Sequence, residues 1–420
     1  MRKLLIFLSI VLSVSLARAQ TNTDSLKMAG LNDLITSAFG KNVKFEPLEI
    51  QKRVELSKKN QVNKQPMPML EGMVDYIPFD FMTKPEYGAF YSQKLMIGKL
   101  NDMGEMSTIK ANKKDIEKEM LKIELVKQIK QNYFQLYNLE RLLAFNTEYQ
   151  KIMKNIIKNL ENSYSSGMGS QSQILKMNNE LQMMELEQIE MNEMKKVSIN
   201  NMRVLANINL PDNFSTKDVS ESNITELDSN RLIRQMLSNN PEFKMINNML
   251  EETRLEKKIA ENDRIPDITL RGGIKYMAKE PMTYMTFGIG IDLSFMPWNA
   301  KRIDAVVEEK RLTELQVSSV QSSTFQYMRN ELVSMIIMLN TIKKKADYIR
   351  EVLIPQTEQT FNSSLVSYSS SASEFMNLLD SYRKLREADQ MLITEETNYL
   401  KQYAELEFLT GTRIQNTNKH

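Results

Sequence analysis

Two short segments alternate strictly between apolar residues and polar or small ones. Ile268, Leu270, Ile274 and Tyr276 alternate with Thr269, Arg271, Gly273 and Lys275. Phe287, Ile289, Ile291, Leu293 and Phe295 alternate with Gly288, Gly290, Asp292 and Ser294. A period of two predicts two strands, each with one wholly apolar face. The segment between them, Met277 to Met285, carries turn formers and charge and reads as their connection. A rougher version of the pattern runs from Leu70 to Tyr76 and from Tyr87 to about Met96. About nine to eleven tilted residues cross a bilayer as a strand. A soluble sheet with one face on a core gives the same alternation.

The rest of the chain has helical period. From Asp102 to about Ser163 there is no proline, and the one glycine is Gly104. Some 60 residues would make a helix of about 90 Å. A second run goes from about Ser172 to Asn207, with Ile174, Met177, Leu181, Met184, Met191 and Met194 on one stripe. Met183, Leu186, Ile189 and Val197 form a second stripe beside it, which predicts neighbours on two sides. Lys301 to about Asn362, interrupted by Pro355, and Ser373 to about Leu409 repeat the arrangement.

Both pairs of runs break in the same way. YSSGMGSQSQIL begins at Tyr164 and YSSSASEFMNLL at Tyr368, about 204 residues later. Each break reads as the turn of a long helical hairpin. Gly167 and Gly169 permit left-handed backbone in the first. Ser369, Ser370, Ser371 and Ala372 occupy the second, where serines can cap the returning helix. The repeat extends to the strands. Pro66, Leu70, Gly72 and Tyr76 recur as Pro266, Leu270, Gly272 and Tyr276. An internal duplication accounts for this. Residues 20–215 form a first repeat of helix, two strands and helical hairpin, and 236–412 a second. The polar stretch within 216–235 connects them, and 413–420 is a C-terminal tail.

The N-terminus, MRKLLIFLSIVLSVSLARAQ, has two basic residues, a short apolar core and a small-x-small site at Ala17-Arg18-Ala19. It predicts a cleaved secretory signal over 1–19. The chain has no cysteine, and its one histidine is His420. Thiol chemistry therefore has no residue to use, and a lone histidine at the extreme C-terminus argues against histidine-based nucleophilic catalysis. Lys+Arg is 55 against Asp+Glu 53, so nothing points to a nucleic-acid partner. The acids Glu185, Glu187, Glu190 and Glu193 read as a solvated helix face rather than a catalytic pair. There is no phosphate loop and no metal-ligand spacing. No catalytic, cofactor or metal site is expected.

Only a closed barrel satisfies sheet backbone in lipid. Four strands are too few, since single-chain barrels need about eight. If these strands span a membrane, several copies must share one barrel.

The chain resembles the TolC-like outer-membrane efflux proteins over nearly its whole mature length. The segments that carry the resemblance are Asn239-Asn240-Pro241-Glu242-Phe243, then Arg264-Ile265-Pro266-Asp267-Ile268-Thr269-Leu270-Arg271-Gly272-Gly273, and the junction Asp292-Leu293-Ser294-Phe295-Met296-Pro297-Trp298-Asn299-Ala300-Lys301-Arg302. The turn at Tyr368 followed by Leu378-Leu379-Asp380, and Leu406-Glu407-Phe408-Leu409-Thr410-Gly411, are also similar. The resemblance implies a mainly α chain with membrane β-strands. Duplicated helical hairpins would form a periplasmic tunnel, and four strands per chain would enter a twelve-stranded barrel shared by a homotrimer. It implies an outer-membrane channel that meets a periplasmic adaptor protein and an inner-membrane pump at its hairpin tips. Those tips would carry the gate: Tyr164, Gly167, Gly169, Gln173, Tyr368, Asn377 and Asp380. Tyr368 matches a closed-tip tyrosine and Asp380 a pore-constricting acid. Asn377 and Gln173 stand where the family has further acids, so the charged gate is partial. Thr269, Arg271, Lys275, Asp292 and Ser294 would line the barrel lumen.

The chain's 30 methionines admit two readings. Met67, Met69, Met73, Met82, Met96, Met103 and Met106 cluster around the first strands, and thioethers suit soft metal ions. Ser92-Gln93-Lys94-Leu95-Met96-Ile97-Gly98-Lys99-Leu100 also resembles the junction in heavy-metal efflux members of the family. Alternatively, methionine is a flexible filler of helix interfaces, which the heptad spacing of Met177, Met184 and Met191 favours. A periplasmic coiled-coil scaffold without channel activity is the other functional class that the pattern allows.

Overall fold

The computed structural model describes residues 30–75, 85–217, 227–277, 281–369 and 374–412. The secretory signal, the C-terminal tail, Tyr76, Met82, Ser370, Ser371 and Ala372 lie outside these. The order is α1 (Leu31–Lys41), α2 (Phe45–Val62), β1 (Met69–Asp75), β2 (Glu86–Leu95), α3 (Leu100–Ser165), α4 (Gln171–Ala206), α5 (Ser229–Asn239), α6 (Pro241–Asn262), β3 (Ile268–Met277), β4 (Met282–Ile291), α7 (Pro297–Tyr348), a π-helical turn (Ile349–Leu353), α8 (Ile354–Ser369) and α9 (Phe375–Thr410). Both halves therefore run helices, two strands, then a long helical hairpin, as the internal repeat predicts. Of the described residues, those up to 42, 121–240 and from 328 on form one compact unit, and 43–120 with 241–327 form another.

The unit of 43–120 and 241–327 holds the sheet. Its strand order is β1-β2-β3-β4, antiparallel throughout. Pairing extends to Met277↔Met282. The connection is thus shorter than the expected Met277-to-Met285 span. Thr283, Tyr284 and Thr286 are good strand formers, and they continue the alternation that the segment's charge obscured. At the other end β4 stops at Ile291, and Leu293 and Phe295 belong to the turn before α7. Helix α6 begins at Pro241, whose missing N–H costs nothing in a first turn. Met106, Ile109 and Leu255 pack together in this unit, with Ile259 against them.

The other unit is built on helix packing. Tyr149, Met153, Ile156, Ile157 and Leu160 of α3 meet Met177 and Met184 of α4, Phe361 of α8, and Phe375, Leu378, Leu379, Tyr382 and Leu385 of α9. The α3 and α4 positions repeat at threes, fours and sevens, which puts them on one face of each helix. Met177 and Met184 are fully enclosed, and each such side chain stabilises by about 1.5–3 kcal/mol. The first α4 stripe is thus core as far as Met184. The second stripe, Met183, Leu186, Ile189 and Val197, is exposed on the single chain. Helix α9 ends at Gly411, whose φ of +68° suits glycine. A Cβ there would lie 2.6 Å from the Asn239 carbonyl.

Among the described residues no helix is long and apolar enough to cross a membrane.

Candidate functional site

The sheet has two chemically opposed faces. One carries Leu70, Val74, Tyr87, Tyr91, Leu270, Ile274, Tyr276, Met285, Phe287, Ile289 and Ile291, all exposed. Phe287 is 82% and Ile289 73% exposed. Water would penalise such a surface, so it marks a contact with lipid or protein.

The opposite face is a ladder of charge. Thr269, Arg271 and Lys275 lie on it, in register with Lys94, Ser92 and Gly88 of β2. Arg271 reaches across β2 to Glu71 at 2.9 Å. Its guanidinium also sits 4.2 Å from the centre of the Phe90 ring. Phe90 is buried on this polar face because two glycines make room for it. A Cβ on Gly88 would come within 2.6 Å of the ring, and one on Gly273 within 2.6 Å of the ring and 2.3 Å of the Ala89 carbonyl oxygen. Lys275 passes over Gly88 to reach Asp75 at 3.0 Å and also meets Glu86 at 2.6 Å.

A third cluster lies where the strands meet the helices. Lys94 bridges Asp267 at 3.1 Å and Asp292 at 2.8 Å. Lys99 reaches Asp263 at 3.0 Å and Asp267 at 3.6 Å. Asp292 thus joins the charged ladder as the alternation predicts. Ser294 does not; its hydroxyl donates to the Arg264 carbonyl at 2.9 Å and fastens the turn before α7.

At the first hairpin turn, Gly167 adopts φ +75°. The amides of Gly167 and Met168 donate to the Tyr164 and Ser163 carbonyls at 3.0 and 2.9 Å, closing the end of α3. Gly169 approaches the Tyr164 backbone so closely that a Cβ would lie 3.0 Å from its nitrogen. Ser170 caps α4, and Gln173 completes a capping box with it. Tyr164 is exposed.

The second hairpin brings Tyr368 to this point. Its hydroxyl donates to Gln173 Oε1 at 2.9 Å, and its ring packs edge-on against Phe375. Burial pushes the Tyr368 hydroxyl pKa up, so it stays a neutral donor at physiological pH. Asn377 is exposed, its amide capping back to the Glu374 carbonyl. Asp380 is exposed and pairs with Lys384 on its own helix at 2.7 Å. Of the expected tip residues, Tyr368 and Gln173 therefore meet, and Asp380 stands apart from them. Two ion pairs absent from the sequence expectation join α9 to α4: Arg383 with Glu180 and Arg386 with Glu187. Glu187 is thus engaged, not simply solvated.

Solved structures with this arrangement exist. The chain superposes on the outer-membrane channel OprN with TM-score 0.75 at 13% identity, covering 91% of this chain and 90% of that one. For CusC, solved in a study of transmembrane channel formation, the values are 0.75, 15%, 91% and 92%. For the outer membrane protein VceC of Vibrio cholerae they are 0.74, 12%, 92% and 97%. The fold is that of the TolC-like outer-membrane efflux channels. No family model and no curated protein matches the chain by sequence. In this TolC-like fold the four strands and the two hairpins are the parts that the internal repeat predicts. Of the structures it superposes on, OprN is an outer-membrane channel and CusC forms a transmembrane channel. Among the described residues no group of three or more His, Cys, Asp or Glu side chains is placed to hold a metal ion. Met106, Met153, Met177, Met184, Met202, Met236 and Met328 are buried in packing; of the heptad-spaced Met177, Met184 and Met191, the first two are enclosed and Met191 is half-buried.

Proposed function

We propose that this protein is the outer-membrane channel of a tripartite efflux or type I secretion system. It is a gated, passive conduit across the outer membrane and periplasm for small toxic compounds or metal ions. The observation that carries this reading is the four-stranded sheet. Its apolar face is exposed, its other face is charged, and its edge strands β1 and β4 have no partner strand among the described residues. In lipid those edges must be paired. Three copies, as the family resemblance implies, close a twelve-stranded barrel with the charged ladder inward. The exposed second stripe of α4 supplies a contact between neighbouring copies. The hairpin tips, with Tyr164, Gly167, Gly169, Gln173, Tyr368, Asn377 and Asp380, face the adaptor and, through it, the pump. The tips hold the gate, and the signal at 1–19 directs export. Energy comes from the pump, since the chain offers no nucleotide-binding loop.

The test is the detergent-corrected mass of the protein extracted from outer membranes, followed by conductance in planar bilayers. A stable trimer with discrete conductance steps supports the channel. A monomer or dimer recovered without detergent from the soluble periplasm overturns it and favours the coiled-coil scaffold.

A further inference from the structure

Within strands β1–β4 the polar face holds three carboxylates, Glu71, Asp75 and Glu86, and three cations, Lys94, Arg271 and Lys275, but they are unevenly placed and the junction with the helices adds further acids; this inference rests on the channel reading above. Glu71 and Arg271 form a matched pair. Among the described residues Lys275 serves two carboxylates, Asp75 and Glu86. One negative charge is left over there. At the strand–helix junction, Lys94 and Lys99 serve three carboxylates, Asp263, Asp267 and Asp292. A second negative charge is left over. The sheet connections outside the described residues add charge in equal measure, Asp80 with Lys84 and Lys279 with Glu280.

The hairpin tips show no such excess. Asp380 is matched by Lys384 and Glu180 by Arg383, Asn377 and Gln173 are neutral, and the acids Glu161 and Glu374 are equalled in number by Lys158 and Lys176. A passage with low-dielectric walls focuses the field of unmatched charge and concentrates counter-ions. Paired charges at an exposed tip are screened by salt within about 8–10 Å.

We infer that the ion selectivity of this channel is set in the barrel, by the Asp75–Lys275–Glu86 and Asp263–Lys99–Asp267–Lys94–Asp292 clusters, and favours small inorganic cations. Gating and selectivity are thereby separated: the tips decide whether the pore conducts, and the barrel wall decides what sign of ion it prefers. Glu86 is the sharper determinant, because neutralising it leaves the Lys275–Asp75 pair intact and removes only the surplus charge. The Arg271 guanidinium, held between Phe90 and Glu71, keeps the middle of the ladder neutral.

The experiment measures reversal potential across planar bilayers holding the purified full-length trimer, under a potassium chloride gradient. The parent channel should show a potential of the sign for cation preference. Glu86→Gln should lower the potassium-to-chloride permeability ratio several-fold, and Asp75→Asn with Glu86→Gln should carry it toward anion preference. Glu86→Gln is nearly isosteric, so its trimer mass checks that the barrel is intact. Should the double variant fail to assemble, the single variant decides. Conductance steps whose reversal potential ignores Glu86→Gln overturn the inference and leave the channel reading standing. A shift produced by Asp380→Asn in its place moves the filter to the tips and also overturns it. A trimer with no conductance steps at all defeats the channel reading itself, and the inference falls with it.

Discussion

The Tyr368 hydroxyl donates to Gln173 Oε1 at 2.9 Å, tying the end of the second hairpin's outgoing helix to the first turn of the first hairpin's returning helix. The same Gln173 oxygen faces the Ser170 amide at 3.4 Å, so the contact depends on a side chain already held by a helix cap. A neutral hydrogen bond contributes about 1 kcal/mol net, or roughly a fivefold change in an equilibrium. Tyr368→Phe should raise the open fraction of single channels by about that factor. Gln173→Ala should do the same and also loosen the cap. Unchanged open probability in both variants would remove these residues from the gate.

Gly273→Ala should prevent insertion of the sheet into membranes. Its Cβ would lie 2.3 Å from the Ala89 carbonyl oxygen, well inside van der Waals contact, at a point where β2 and β3 pair. Recovery of the variant from outer membranes should fall sharply against the parent. Gly72→Ala, where a Cβ meets no atom within 4 Å, should be recovered normally.

The helical core near the tips should respond in graded fashion. Tyr382→Phe removes a hydroxyl that donates to the Tyr149 carbonyl at 2.9 Å, and should cost about 1 kcal/mol. Met177→Ala leaves a cavity at a fully enclosed position and should cost about 2–5 kcal/mol. Thermal unfolding followed by circular dichroism should rank the two in that order.

Asp389 gives stability a pH dependence. Burial raises its pKa; the hydrogen bond from Tyr149 works against this, and the nearby Glu358 carboxylate adds to it. An acid whose folded pKa exceeds its unfolded value carries no penalty when both states are protonated. The penalty grows as pH rises through the folded pKa and is complete above it. Asp389→Asn, which still accepts from Tyr149, should therefore melt higher than the parent at neutral pH. The difference should vanish below about pH 4, the ordinary aspartate value. A difference that persists in acid would assign the effect to packing.

Much of this architecture was legible because two periods dominate the chain. Period two marked the strands, and threes and fours marked the helices. The repeat of Leu70, Gly72 and Tyr76 at Leu270, Gly272 and Tyr276 fixed their order. The partners of the charged ladder were harder to find. Glu71 and Asp75 sit opposite in sign to Arg271 and Lys275 at the same spacing of about 200 residues, which is a usable signal. Yet β1 and β3 are not neighbours in the sheet. The contacts cross β2 where Gly88 offers no side chain and the Arg271 guanidinium sits over the Phe90 ring. Such crossings belong to the pairing register, which a single alternating segment does not reveal. Arg383 with Glu180 and Arg386 with Glu187 were hidden for a similar reason: each lies on a helix rich in both charges, and only packing selects the pairs. The same applies to Asp380, whose helix supplied Lys384 one turn away.

The π-helical turn at Ile349–Leu353 has a mechanical consequence. There the Ile354 amide bonds to the Ile349 carbonyl, one residue further back than an α-helix allows, just ahead of Pro355, which has no amide proton to give. The first hairpin has no counterpart, since α3 runs unbroken from Leu100 to Ser165. Arg350 braces the irregular turn against Glu396 at 2.7 Å, and Glu396 also holds Arg141 of α3. Interruptions of this kind are where long helices bend. The duplicated arms are therefore unequal springs: one stiff along its length, the other with a built-in elbow. A torque applied at the tips will be absorbed by the second arm before the first yields.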